Sequence, residues 1–281
     1  MYFRPSSLQD ALHVLADNRA TILAGGTDVF PALGDRPLAG PVLDISALEE
    51  IKSFQIEKEH IVLGSRTTWS GLIAAPLPPC FDGLKAAARE IGSVQIQNQA
   101  TIAGNLCNAS PAADGVAVLL ALDAELVLAS HAGSRTLRIP EFILGNRKTA
   151  RRPEELLVAI RVPRRLETAV STFLKLGARQ YLVISIVMVA ANLVLEADGS
   201  IREALLSVGS CSPVALRLPE LERDLIGKSV RHGLGEIVNH KHLARLSPID
   251  DVRATANYRR DAARILVQRA LEVCTRKALA K

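Results

Sequence analysis

Aromatic residues are scarce in this chain of 281 residues: one Trp, three Tyr and six Phe, 4% of the whole. That scarcity leaves no rank of side chains on which single-stranded nucleic acid could stack. The formal net charge is +5, yet Lys and Arg are mixed with acids throughout, and the densest basic runs, Arg147 to Arg152 and Arg253 to Arg264, hold no stacking residue beyond Tyr258. A nucleic-acid partner is therefore not expected. Cysteine is equally thin. Cys80, Cys107, Cys211 and Cys274 stand far apart with no CxxC or Cys/His cluster, which argues against a disulfide framework and against a zinc or iron–sulfur site built by this chain alone. No apolar run reaches the roughly 20 residues that span a bilayer; the most apolar one, Leu182 to Leu195, is broken by Ser185 and Asn192. The opening MYFRPSSLQDALHVL lacks the charged start, apolar stretch and cleavage site of a secretory signal. Together these absences predict a cytoplasmic protein without a membrane span.

What the chain does have is core. Hydrophobic residues make up 48% of it, enough at this length for one large domain or two to three smaller ones. Leu8, Leu12 and Leu15 recur at helical spacing behind a Ser6 or Ser7 cap, and a strand at Thr21 to Leu23 follows. Further strands are expected at Val42 to Ser46, in a hairpin over Phe54 to Leu63, at Ala124 to Ala129 and at Leu156 to Val162, with helices around Trp69 and at Leu84 to Ile91. Pro140 to Thr149 reads as a loop. Polar composition at Arg164 to Thr168 marks a boundary. Beyond it, strands at Thr172 to Leu176, Ser185 to Glu196 and Ala204 to Gly209 precede helices at Pro219 to Lys228, Gly235 to Leu246 and Tyr258 to Ala278. The last of these places Ala263, Leu266, Ala270 and Val273 on one face. Strands and helices in blocks predict an α+β fold, not a doubly wound sheet.

Two stretches make poor regular structure and are rich in small and polar residues. One is LAGGTD, Leu23 to Asp28; the other is QATIAGNLCNASPAAD, Gln99 to Asp114, followed by an apolar helix, Val116 to Leu122, with Asp114 in or before its first turn. No GxGxxG joins a strand to a helix, so a Rossmann site is not indicated. Consecutive main-chain N–H groups around Gly25, Gly26 and Thr27 form instead a potential anion nest, because glycine lets the backbone approach closely and adopt positive φ. Two such loops in one chain point to a shared, large, phosphorylated ligand.

LAGGTD together with TIAGNLCNASPAAD resembles the paired FAD-binding motifs of the flavoprotein subunit of the xanthine dehydrogenase family, the molybdenum hydroxylases that include carbon monoxide dehydrogenase medium subunits. IGSVQIQNQ, PEELLVAIRVP, KLGARQYLVIS and DVRATANYRRDAARILVQRAL extend the similarity over nearly the whole chain. The resemblance implies an FAD-binding domain of residues 1–165 in two lobes, about 1–55 and 56–165, followed by a smaller α+β flavoprotein domain, 169–281. It implies that Leu23, Ala24, Gly25, Gly26, Thr27 and Asp28, with Thr101, Ile102, Ala103, Gly104 and Asn105, surround the diphosphate and its neighbours. It further implies that Asp114 accepts hydrogen bonds from FAD, that Lys175 places a cation near the flavin, and that the main chain at Leu157 or Val158 touches the ring, with Ile102 and Leu106 as candidates to wall it. No catalytic residue and no metal ligand is expected here. The molybdenum cofactor and two [2Fe–2S] clusters are expected in a large and a small partner subunit, with NAD+ or another molecule as electron acceptor. The chain departs from the pattern at Ala103, where relatives often carry a second glycine. That departure is the one support for a flavin-free scaffold; a stand-alone flavin oxidoreductase is the other alternative.

Overall fold

The computed structural model describes residues 1–280. The chain opens on β1 (Tyr2–Phe3), α1 (Leu8–Asp17), β2 (Thr21–Leu23), α2 (Val29–Leu33) and β3 (Val42–Asp44). Ser7 caps α1, its hydroxyl accepting the Asp10 N–H at 3.1 Å, which satisfies one of the amides that a helix start leaves free. The buried pair Ala11 and Leu15 then lies on one face, four residues apart. That face packs with Leu43, Ile45, Leu48 and Ile51 over a parallel sheet in the order β1-β3-β2.

The next segment holds β4 (Phe54–Ile56), β5 (His60–Gly64), α3 (Trp69–Ala74), α4 (Asp82–Glu90), α5 (Val94–Gln99), α6 (Ile102–Asn108), α7 (Asp114–Ala121), β6 (Glu125–Ser130), β7 (Gly133–Arg138), α8 (Ile139–Phe142), β8 (Ile143–Gly145), β9 (Lys148–Thr149) and β10 (Leu156–Pro163). Five of these strands form an antiparallel sheet, β4-β5-β10-β6-β7. Because β4 pairs with β5 from Phe54 onward, the lobe division expected at 55/56 cuts through a strand, and the sheet itself starts two residues earlier. The expected loop 140–149 is largely ordered as α8 and the ribbon β8-β9.

The last segment holds β11 (Val170–Leu176), β12 (Val187–Leu195), β13 (Ile201–Gly209), β14 (Leu216–Arg217), α9 (Pro219–Leu225) and α10 (Ala256–Leu279), the strands forming one antiparallel sheet in chain order. The alternation along β12 decides what packs where. Val187, Val189, Ala191 and Leu193 point into a core shared with α10, while Met188, Ala190 and Val194 point the other way, into the core around α7. All eight residues of α7 are buried. Two polar side chains of the sheet hold it in place: Ser207 Oγ donates to the Ala117 carbonyl at 2.6 Å and Asn192 Nδ2 to that of Ala121 at 2.9 Å.

Three expectations need correction. The Gln99–Asp114 stretch is not irregular: residues 102–108 form α6, capped by Thr101, whose hydroxyl accepts the Gly104 N–H at 3.0 Å, and ended by Ala109 in the left-handed conformation at φ 48°. The cap outweighs a weak helical composition over so short a segment. The expected helix at Gly235 to Leu246 is instead two 3-10 turns, Leu234–Ile237 and His240–Leu243. On α10 it is Cys274, not Val273, that continues the buried face of Ala263, Leu266 and Ala270.

Candidate cofactor-binding site

A cleft of about 660 Å³ opens between the parallel sheet and the helices that follow the second sheet's first hairpin. One wall is the end of β2 with Ala24 to Asp28 and Ile45; the other is Trp69, Ile91, Ile96 and Ala100 with the outer face of α6; Leu156 and Leu157 of β10 line it too. The two glycine-bearing motifs touch. A Cβ on Gly25 would stand 1.9 Å from the Gln99 carbonyl oxygen, so only glycine lets the first loop close against the backbone leading into the second. Gly26 has φ +69°, and a Cβ there would meet the Phe30 ring at 2.4 Å.

The two loops offer different things to a ligand. No N–H from Gly25 to Asp28 donates a hydrogen bond within the described residues, so this loop presents a set of free main-chain donors beside a positive-φ glycine, the makings of an anion nest. In the second motif the main chain is occupied. Ile102 N–H donates to Thr67 O at 3.0 Å, Ala103 to Ser65 O at 3.3 Å, Gly104 to Thr101 Oγ1 at 3.0 Å and Asn105 to Thr101 O at 3.1 Å. What remains there are side chains: the Thr101 hydroxyl, the Ala103 methyl and the Asn105 amide. Asn105 Oδ1 is buried without a hydrogen-bond partner, a state that native structures seldom leave unfilled. The first loop thus offers main-chain donors to a ligand and the second offers side chains.

The mouth is tied across. Asn108 Nδ2 donates to Asp28 Oδ1 at 2.9 Å, and Arg147 donates to Asn108 Oδ1. Arg147 itself sits at φ 58° in the β8-β9 turn, its N–H on the Ala109 carbonyl at 3.0 Å. Nearby, Glu155 is gripped by Arg135 at 2.6 and 2.9 Å, which fixes the turn that delivers Arg151 and Leu156 to the cleft. Cys107 also lines the cleft. Burial pushes its thiol up to about 11 while Arg151 pulls the other way, which disfavours the reactive thiolate.

Of the residues singled out from sequence, Ala24, Gly25, Gly26, Thr27, Asp28, Thr101, Ala103, Gly104, Asn105 and Leu157 line the cleft. Leu23 stands just behind it, its carbonyl accepting from Ile45 at 2.9 Å. Ile102 and Leu106 are wholly buried in the core and wall nothing, and Val158 packs with the first lobe's core, leaving Leu157 as the residue of that pair at the cleft. Asp114 and Lys175 lie outside the lining and face each other: Lys175 Nζ is 2.6 Å from Asp114 Oδ2, with side chains 8% and 5% exposed. Ser185 Oγ donates to the other carboxylate oxygen at 2.6 Å. Burial pushes the Asp114 carboxyl above its ordinary range, against Lys175 and Ser185, which favour its charged form. Lys175 Nζ also reaches the Glu90 carbonyl at 3.4 Å, one residue from Ile91 in the cleft wall. Trp69, Asn108 and Arg151 were not singled out. Arg151 lies in the basic run RKTARR, where nothing in the composition separates an inward arginine from a solvated one.

The cleft has a free-amide glycine loop on one side and an unpartnered buried amide oxygen on the other, with no βαβ phosphate loop among the described residues, an arrangement suited to a phosphorylated ligand bound without a Rossmann fold. The chain belongs to the flavoprotein subunits of the molybdenum hydroxylases: residues 1–165 match the FAD binding domain in molybdopterin dehydrogenase, and residues 172–273 match the CO dehydrogenase flavoprotein C-terminal domain. It is 30% identical over 274 residues to the glyceraldehyde dehydrogenase medium chain of Sulfolobus acidocaldarius, covering 96% of each chain. It is 32% identical over 265 residues to the putative xanthine dehydrogenase FAD-binding subunit of Escherichia coli, covering 92% of this chain and 90% of that one. Its fold superposes on reconstituted CO dehydrogenase from Oligotropha carboxidovorans with a TM-score of 0.90 at 25% identity, over 98% of this chain and 96% of the other. The chain is an FAD-dependent oxidoreductase subunit.

Proposed function

We propose that this chain carries electrons, through FAD held in the interlobe cleft, from [2Fe–2S] clusters of a small partner subunit to NAD+ or another acceptor, while a large partner bearing the molybdenum cofactor oxidises the substrate. The observation that carries the reading is the pairing in one cleft of free main-chain donors at Gly25 to Asp28 with the orphaned Asn105 Oδ1. FAD fits that donor set: its diphosphate needs N–H groups, and its hydroxyls and amides need acceptors. When bound, it supplies two-electron chemistry that can be entered one electron at a time.

The chain's own part is to bind and to tune. Gly25, Gly26 and Thr27 donate to the diphosphate; Asp28, braced by Asn108, accepts from hydroxyls; Thr101 and Asn105 complete the opposite wall. Ala103 adds only a methyl to a helical backbone, a conformation alanine favours, so this position gives no support to a flavin-free scaffold. Lys175, next to Ile91 through the Glu90 carbonyl, supplies a cation for the negative charge that reduction places on the flavin. Asp114 holds that ammonium in position. Among the described residues no helix is long and apolar enough to cross a membrane.

The test is to purify the chain with whatever co-purifies and add NADH without oxygen. The account predicts a yellow complex containing a molybdenum subunit and a [2Fe–2S] subunit, its flavin absorption bleached by dithionite in every case and by NADH where NAD+ is the acceptor. A bleached monomer without partners would favour a stand-alone oxidoreductase. A complex whose flavin ignores NADH but is bleached by dithionite would move the acceptor away from NAD+.

A further inference from the structure

The cleft must balance a diphosphate, and its lining is nearly neutral. Among the described residues that line it, Asp28 is the one anion and Arg151 the one cation. Asp28 already leans toward Arg147 through Asn108. Arg151 has no carboxylate partner among the described residues. Its Nη1 is clamped by three main-chain carbonyls of its own turn, Arg152 at 2.9 Å, Pro153 at 3.3 Å and Glu155 at 2.8 Å. Those bonds use one corner of the guanidinium and fix its plane, leaving Nε and Nη2 with three N–H donors that find no acceptor within the described residues. Neither nitrogen is among the buried atoms lacking a partner, so both keep some solvent exposure. Arg151 lines the cleft together with Cys107, Thr149 and Leu156. The turn is stiffened in its turn by the Arg135–Glu155 pair and by the Arg152 N–H, which donates to Glu155 Oε2 at 2.7 Å.

We infer that Arg151 is a binding residue for the nucleotide: the pre-oriented cation that neutralises the FAD diphosphate, opposite the amides of Gly25 to Thr27. The inference rests on the FAD reading above and adds to it a charged partner outside both glycine motifs. The physical argument is one of complement. Main-chain amides give partial charge only, whereas a diphosphate removed from water needs a full counter-charge, and a guanidinium whose rotamer is already fixed loses little entropy on meeting it.

The test measures FAD affinity of the full-length chain, stripped of flavin, by fluorescence quenching over a range of salt concentrations, for the wild type, Arg151→Gln and Arg151→Lys. A lost charge-assisted contact should weaken FAD binding by about tenfold or more in Arg151→Gln. The same variant should show a shallower dependence of affinity on salt, because one screened charge pair is gone. Arg151→Lys, which keeps the charge without the carbonyl clamp, should recover part of both. Wild-type affinity in Arg151→Gln would overturn the inference. So would weakened binding with an unchanged salt dependence, since that result assigns Arg151 to holding its turn. A wild-type chain that binds no FAD would instead overturn the FAD reading itself, so the two failures are distinct.

Discussion

At the scale of single residues, the Asp114–Lys175 pair shows how much one side chain can demand. A carboxylate and an ammonium 2.6 Å apart and almost fully buried are costly to desolvate, and the pair is stable only while both members are present. Removing one leaves an uncompensated buried charge, at roughly 3–5 kcal/mol. Lys175→Met should therefore lower stability at neutral pH. The sign of its pH dependence follows from Asp114, whose carboxyl already stands above its ordinary range through burial and would rise further without the cation. A folded state that binds the proton more tightly than the unfolded chain is favoured in acid, and that advantage is lost as pH rises through the raised folded value. Urea midpoints of Lys175→Met should thus move back toward wild type as the pH falls. A deficit independent of pH would show that the loss is one of packing and not of charge.

At the scale of elements, the sequence was most legible where a pattern repeats. The apolar run from Val187 to Leu195 marks a strand buried on both faces, and the spacing of Ala263, Leu266 and Ala270 marks a helical face, each over enough residues that one ambiguous position cannot overturn it. The stretch from Ile102 to Asn108 has no such redundancy. Seven residues of small and polar character form a helix because Thr101 caps it and Ile102 and Leu106 reach the core, and tertiary contacts of that kind leave little trace in composition. The same gap hid Arg151 and the mutual embrace of Asp114 and Lys175, which joins a helix and a strand far apart in the chain. The two motifs, by contrast, were legible as a site because glycine pairs and clustered polar residues are hard to explain as packing alone. Thr101 links helix and site, and its replacement separates the two. Thr101→Val should cost about 1 kcal/mol in the denaturation midpoint through the lost cap and should also weaken FAD binding. Thr101→Ser keeps the hydroxyl and should preserve both.

At the scale of the whole molecule, the cleft is a joint property of parts that the chain makes separately. The parallel sheet brings the free amides of Gly25 to Asp28, the helices that follow the hairpin β4-β5 bring Thr101 and Asn105, and α7, gripped by Ser207 and Asn192, locks the C-terminal sheet behind them. The loops meet closely where Gly25 lies against the Gln99 carbonyl, and Asn108 ties them again at Asp28. A ligand bound across that joint stabilises only the assembled form, so FAD at a hundred times its Kd should add about 2.7 kcal/mol to the folded state.

The central claim is that the cleft joined at Gly25 holds FAD. The most direct measurement is the flavin released when the purified chain, first saturated with FAD and freed of excess, is denatured, compared with the same assay on Gly25→Ala. The account predicts one FAD per wild-type chain and a large loss in the variant, whose added methyl forces the two loops apart. A folded wild-type chain that retains no flavin, or a Gly25→Ala chain that retains as much as wild type, would contradict it.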